Sequence, residues 1–435
     1  MTDTSPFTVA EHIIDTQYIR EYPNATIAPD SPLKLVVKKY TPRDNPNPQP
    51  GDVTLIGTHG CGFPKELYEP LWEETLAQSR QEGFRIRAIW IADTAHLGAS
   101  GIRNESILGD DPSWFDHSRD LLYMVNQFRA EMPQPIIGVG HSLGAGQLVL
   151  LSIMHPRLFT SLAIIEPVIA PDIITGQGPQ LTLLSLKRRD TWASKEEAIK
   201  AARKVYRKWD PRVFDRWVQH GYRSLPTDTH PEDTPKTKLD GEGAVTLASS
   251  KYLEVMHYLR PNPSGHKRLG KGDSTGEPRH DPLLYPDIIG PEDTSSAFYR
   301  SEPLIAWKML KHLRPSALYV FGSKSPVSTP EKREKLVGRT GISVGGNGGI
   351  KHSRVKEVLL KGFGHQVPLE GVAETAAALG PWIDESVRQW KGDQERVMQK
   401  WSGCEVKERL SSSGGWVGGL ERILKMDARK QQSKL

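Results

Sequence analysis

The sequence predicts an α/β fold: a mostly parallel, doubly wound sheet with a mainly helical cap inserted over the C-terminal edge of its strands. Three observations carry this. Short apolar runs alternate with helix-period stretches through residue 167, the pattern of consecutive strand-helix-strand units. From about Val168 to Glu302 that alternation stops, and helix signals with a glycine- and proline-rich stretch at Asn262 to Pro282 take its place. Pro135 to Gly146 (PIIGVGHSLGAG) reads as a strand, a sharp turn around a serine, and a helix opened by small residues.

In chain order, Leu33 to Tyr40 alternates as a half-exposed strand, Pro42 to Pro50 is a loop, and Val53 to Ile56 is a buried strand. Apolar residues at helical spacing (Leu67, Leu71, Trp72, Leu76) predict a helix over Pro64 to Glu82. Phe84 to Ile91 is the next strand, and Asp93 after it is a structural anchor of its loop. Trp114 to Met132 is a helix leading into the strand Ile136 to Val139. Ser161 to Ile165 is a further buried strand, closed by Glu166-Pro167. In the cap, Ser194-Lys195-Glu196-Glu197 is a capping box, and Ala198 to Trp209 continues as a basic helix. Leu304 to Leu313 is helical, Ala317 to Phe321 restarts the sheet, Glu331 to Val337 is helical, and Val355 to Leu360 is the last strand. Gly341 to Gly349 lacks the lysine and helix of a phosphate cradle, so it is a plain loop. The domain boundaries that follow are 1–167 and 303–392 for the two parts of the core, 168–302 for the cap and 393–435 for a polar tail.

The chemistry centres on Gly140-His141-Ser142-Leu143-Gly144, which matches the G-x-S-x-G nucleophile elbow of the α/β-hydrolase fold. A serine on so tight a turn is strained, and Gly140 and Gly144 keep side chains out of its way. Ser142 is the candidate nucleophile. The backbone N–H of Leu143 is one candidate oxyanion donor, and that of Cys61, in the loop Thr58-His59-Gly60-Cys61-Gly62, is the other. A serine nucleophile needs a base, and the base needs a carboxylate to fix its tautomer. His365 follows the last strand, where the chain order nucleophile, acid, histidine puts the base. The segment after the penultimate strand, Phe321 to Pro326, contains no carboxylate, and none occurs between Glu302 and Glu331. Glu166, at the end of the strand after the nucleophile helix, is therefore the candidate acid.

Composition sets the remaining expectations. The chain has 435 residues, 37% hydrophobic and 25% charged, with a formal net charge of +5; it reads as an ordinary soluble protein with no nucleic-acid module. Two cysteines, a start without a secretory pattern and no run of about 18 apolar residues point to a reducing compartment and no membrane span. No ligand-spaced cluster calls for a metal, and no cofactor is expected. Ser433-Lys434-Leu435 reads as a peroxisomal address recognised by an import receptor, which places the protein in the peroxisomal matrix. Arg203, Lys204 and Arg207, on the basic cap helix, are candidate contacts for the phosphates of an anionic ligand.

Beyond the elbow, Ile19 to Pro23, Pro64 to Trp72, Arg87 to Trp90, His155 to Phe159, Gly362-Phe363-Gly364-His365 and the final tripeptide resemble the fungal peroxisomal α/β-hydrolases of secondary metabolism. That group includes the acyl-CoA hydrolase of mycophenolic acid biosynthesis and hydrolases of host-selective toxin clusters. The resemblance implies a serine thioesterase acting on an acyl-CoA through Ser142 and His365. The mycophenolic member carries Asp where this chain has Glu166, one methylene longer. A carboxylesterase or lipase on the same three residues, or a non-catalytic accessory protein of the pathway, are the alternative readings, and a homodimer is compatible with the chain. Epoxide hydrolysis and dehalogenation do not fit, because those members use an aspartate nucleophile where this chain has Ser142.

Overall fold

The computed structural model describes residues 5–172, 178–231, 243–262, 281–287 and 297–432. The targeting residues Ser433, Lys434 and Leu435 lie outside the described residues, as does most of the glycine- and proline-rich stretch of the cap. Eight strands form one sheet: β1 (Phe7–Asp15), β2 (Lys34–Pro42), β3 (Val53–Thr58), β4 (Ile86–Ala92), β5 (Ile136–His141), β6 (Ser161–Ile165), β7 (Ser316–Gly322) and β8 (Val355–Leu360). Their spatial order is β1-β2-β4-β3-β5-β6-β7-β8. β2 runs antiparallel to both β1 and β4, and every pair from β4 to β8 is parallel.

The parallel strands are continuous apolar runs because both of their faces are covered. Every residue of β3, β5, β6 and β7 is buried. Strand alternation then divides the core in two. Leu55, Ile137, Val139, Ile165 and Val320 face one way, against Leu71, Trp72 and Leu76 of α1 (Glu69–Glu82). Ile56, Leu162, Ile164 and Phe321 face the other way. They meet Leu121 and Met124, which follow α2 (Gly98–Asn104) on α3 (Trp114–Gln127), and Leu148 and Leu151 of α4 (Leu143–Met154). This is the doubly wound α/β-hydrolase fold.

The insertion between β6 and β7 holds α5 (Gly178–Lys187), α6 (Lys195–Val205), α7 (Pro211–His220), α8 (Lys251–Tyr258) and α9 (Ser301–Met309). It also contains a small three-stranded antiparallel sheet of Thr191–Trp192, Tyr222–Ser224 and Val245–Leu247. Strands of two or three residues are too short to show a period of two, so the sequence reads that region as helix and loop. Ser194 caps α6 by accepting the Glu197 N–H at 3.2 Å. The Glu197 carboxylate, in turn, takes the N–H of Ala193 and the Arg189 guanidinium.

Two further differences have local causes. β1 shows no clear alternation and is unassigned by the sequence, yet all nine residues pair with β2. As an edge strand it buries little beyond Phe7 and Ile14, so its other positions stay polar or exposed. α3 stops at Gln127 instead of Met132, because the carbonyl of Phe128 takes the N–H groups of both Glu131 and Met132 in a turn.

After β7 come α10 (Pro330–Arg339), α11 (Val367–Glu370) and α12 (Val372–Trp401), and then α13 (Val406–Leu410) and α14 (Gly414–Gln432). The chain divides into two compact units, Met1–Val387 and Arg388–Leu435. In the second unit, Glu405 and Glu408 form a capping box that opens α13, and α14 leaves Trp416, Leu420, Ile423 and Leu424 exposed. Among the described residues no helix is long and apolar enough to cross a membrane.

His96 illustrates how the fold depends on pH. It sits in the loop after β4, buried, with Nε2 3.2 Å from the carbonyl of Ala25. Burial pushes it down to about 3. In the unfolded chain it titrates near the ordinary value, so between about pH 3 and 6.5 unfolding takes up a proton at this site, and stability falls as pH falls through that window. His96→Gln keeps the donor and removes the titration. The slope of unfolding free energy against pH, measured by urea titration between pH 4.5 and 6, should become shallower by about 1.4 kcal/mol per pH unit. An unchanged slope would contradict the burial of this imidazole.

Candidate active site

β5 ends in the elbow. Ser142 adopts φ 55°, ψ −118°, and its N–H donates to the carbonyl of Ile165 on β6. The strain is tolerated because the positions two before and two after it carry no side chain. A Cβ on Gly140 would lie 2.7 Å from Thr58 Oγ1 and 2.8 Å from Ala145 Cα, and one on Gly144 would lie 2.7 Å from the carbonyl oxygen of His59. Both glycines therefore allow the elbow to seat against the loop that follows β3.

Three side chains widely separated in sequence meet at this strand edge. His365 Nε2 is 2.9 Å from Ser142 Oγ, and His365 Nδ1 is 3.1 Å from Glu166 Oε2. A carboxylate only accepts, so Nδ1 carries the proton and Nε2 is left to accept from the serine hydroxyl. Glu166 is fully buried and itself sits at φ 47°. Three other donors surround it: the N–H of Gly322 at 2.7 Å, the Ser325 hydroxyl at 2.6 Å and the Ser328 hydroxyl at 2.8 Å. Among the described residues four donors and no acceptor hydrogen-bond to the carboxylate, which is the environment a buried carboxylate anion needs. The segment after β7 thus brings no acid of its own; its serines and backbone hold the acid of β6.

Leu143 is the first residue of α4, so its N–H has no intrahelical acceptor. In the loop after β3, the Gly60 N–H is taken by Tyr68 Oη at 2.7 Å, while the Cys61 N–H has no acceptor among the described residues. The Cys61 thiol is buried, contacts the carbonyl of Glu254, and is pushed well above the ordinary thiol range by that burial. It stays a protonated packing group. His141 is also buried, with Nδ1 2.7 Å from Tyr68 Oη and Nε2 2.9 Å from the backbone carbonyl of His365. Asp93 accepts from the Lys65 N–H, the Lys65 ammonium and the Ala99 N–H, which ties the loop after β4 to the turn before α1.

Known proteins of the same kind can be set beside this geometry. No family model matches the chain. It is 38% identical over 439 residues to the type I acyl-CoA thioesterase mpaH of Penicillium roqueforti, spanning 96% of this chain and 99% of that one. To mpaH' of Penicillium brevicompactum it is 40% identical over 411 residues, 90% and 92% of the two chains. To the abhydrolase domain-containing protein ACTT2-2 of Alternaria alternata it is 31% identical over 295 residues, 67% of this chain and all of that one. The chain belongs to this α/β-hydrolase family. It is a hydrolase of the thioesterase and esterase type. Among solved structures, the peroxisomal α/β-hydrolase Lpx1 of Saccharomyces cerevisiae shares the fold, with a TM-score of 0.66 at 16% identity and coverage of 99% and 98%.

The insertion of this family member reaches the site at two places. Trp209 donates from Nε1 to Gln366 Oε1 at 2.7 Å, next to His365, and meets the Phe63 ring edge-on at 5.6 Å. Glu254 of α8 lies against Gly62 and pairs with Arg188 at 2.6 Å. The basic residues are less uniform than their sequence suggests. Arg188 and Arg189 are engaged with Glu254 and Glu197, and the Arg203 guanidinium lies 4.7 Å from the Phe214 ring centroid. Lys204 and Arg207 are exposed. Among the described residues no group of three metal-ligating side chains occurs.

Ser325 and Ser328 escape sequence reasoning because serines in loops are common; the signal that was available is their position, just after the strand where an acid is expected and missing. Removing both hydroxyls leaves two lone-pair positions of a buried carboxylate without donors. Ser325→Ala with Ser328→Ala should therefore lower stability by about 3 kcal/mol or more, read as a lower urea midpoint at unchanged m-value. A loss below about 1 kcal/mol would mean that the hydroxyls do not serve Glu166.

Proposed function

We propose that the protein is a serine thioesterase that hydrolyses an acyl-CoA through an acyl-serine intermediate. The observation that carries this reading is the hydrogen-bonded line from Ser142 through His365 to Glu166, at 2.9 and 3.1 Å. The identity of 38–40% to named acyl-CoA thioesterases supports the choice of thioester.

In this mechanism Ser142 Oγ attacks the thioester carbonyl carbon as its proton passes to His365 Nε2. Negative charge collects on the carbonyl oxygen, where the N–H groups of Leu143 and Cys61 donate to it. Glu166 stabilises the imidazolium without taking its proton. The tetrahedral adduct collapses by breaking the carbon–sulfur bond, the thiol of coenzyme A leaves with the proton from His365, and the acyl group stays on Ser142. Water then gives a proton to His365 Nε2 and attacks the acyl carbon, and collapse of that second adduct returns the proton to Ser142 and frees the acid. Arg203, Lys204 and Arg207, at the end of α6 and beyond it, are the cationic groups that would draw in the phosphates of the leaving group.

A panel of CoA esters assayed beside the matching methyl esters tests the reading. Turnover should favour the CoA esters, and Ser142→Ala should lower kcat by about 10⁴-fold or more. Intact-mass spectra of a slow substrate should show an acyl adduct on Ser142. Replacing Arg203, Lys204 and Arg207 with alanine should raise KM for the CoA ester and leave a small neutral ester unaffected. Full turnover by Ser142→Ala would end the proposal; preference for the methyl esters would replace thioester with oxygen ester.

We infer the peroxisomal matrix as the compartment, and an import receptor as a partner, from Ser433-Lys434-Leu435. A fluorescent protein fused ahead of the full chain should enter peroxisomes, and the same fusion lacking the tripeptide should remain in the cytosol. Identical distributions would refute this assignment.

A further inference from the structure

We propose that Tyr68 and His141 form a hydrogen-bond relay that locks the loop after β3 and the loop carrying His365 to the elbow, and that they act as positioning residues for the base. The inference rests on the serine-hydrolase reading above and adds residues to it that never touch the reacting atoms.

The relay has a single consistent direction. The carbonyl oxygen of His365 can only accept, so the 2.9 Å contact to it requires a proton on His141 Nε2. Burial pushes His141 down to about 3, so its ring is neutral and carries one proton. Nδ1 is therefore an acceptor, and Tyr68 Oη, 2.7 Å away, must donate to it. The same oxygen accepts the Gly60 N–H at 2.7 Å. The chain runs from the Gly60 N–H to the tyrosine oxygen, from the tyrosine hydroxyl to Nδ1, and from Nε2–H to the His365 carbonyl. Each participating atom has a partner and no second proton arrangement satisfies them all.

This line connects three segments that must keep their relative positions for acyl transfer. Gly60 precedes Cys61, whose N–H is aimed at the oxyanion in the proposed mechanism. His141 precedes Ser142. The carbonyl it holds belongs to the residue that carries the base. The relay is rigidly housed: Tyr68 and His141 are 2% and 1% exposed, and Tyr68 stacks on Trp72 with ring centroids 6.2 Å apart. A Cβ on Gly60 would come within 2.9 Å of His141 Nδ1, so the loop after β3 lies in direct contact with the imidazole. Misplacing a base or an oxyanion donor by about 1 Å can cost on the order of 10²-fold in rate.

Tyr68→Phe is the sharpest probe, since it removes one oxygen and keeps the ring. Active sites are first titrated with a serine-directed fluorophosphonate, so that kcat refers to competent sites only. Per titrated site, kcat should fall roughly 10- to 100-fold while KM stays within about twofold. His141→Gln, whose amide has both a donor and an acceptor, should keep more of the rate than His141→Leu. In the wild type, ¹⁵N spectra of the histidine rings should place the His141 proton on Nε2. A kcat for Tyr68→Phe within twofold of wild type, equal rates for His141→Gln and His141→Leu, or a proton on Nδ1 would each overturn the relay. Should either Tyr68→Phe or His141→Leu fail to fold, the wild-type spectrum still decides. Failure of the wild type to react with the fluorophosphonate would instead refute the serine-hydrolase reading.

Discussion

A single buried carboxylate organises the strand edge where the candidate site lies. Glu166 lies at the end of a central strand with no exposure to water, and an unpaired charge there would cost several kcal/mol. Its position is viable because donors converge on it from two other segments: Gly322 at the end of β7 with Ser325 and Ser328 beyond it, and His365 after β8. Each of those loops is thereby drawn to the C-terminal edge of the sheet. The imidazole is left with one tautomer and one free nitrogen, and that nitrogen meets Ser142. The strained φ values at Ser142 and Glu166 belong to the same arrangement, since both residues leave their strands abruptly to bring side chains onto one edge.

Much of this was legible in the chain, and the reasons are local. β3, β5, β6 and β7 are buried on both faces, so their sequences are apolar runs bounded by turn residues. Ser142 and Glu166 stand out because each directly follows such a strand, and His365 because it comes after the last strand, at the sheet edge where this fold concentrates function. The missed features lack that local signature. β1 is held by pairing to β2 along an edge, and its sequence gains little from burial. The short strands of the insertion are set by their pairing partners. Ser325, Ser328 and Tyr68 matter through partners far along the chain, 73 positions away for Tyr68 and His141 and 159 for Ser325 and Glu166. No spacing rule along the chain reports such contacts.

The extra methylene of a glutamate, compared with an aspartate, raised the question of whether the acid would reach the base. It does, at 3.1 Å, and the two serines fill the space around the longer side chain with donors. The acid and the polar loop after β7 are therefore tied together by direct hydrogen bonds.

The close approach of Glu254 to Gly62 has a consequence for how this architecture varies. A methyl group at 62 would fall 2.4 Å from the glutamate oxygen, and the backbone there has φ +77°. A larger residue at that point would push the Glu254 carboxylate aside and disturb its pairing with Arg188. Gly62 thus leaves the space in which the insertion sets down a charged side chain, so that the floor of the site and the cap above it share one carboxylate.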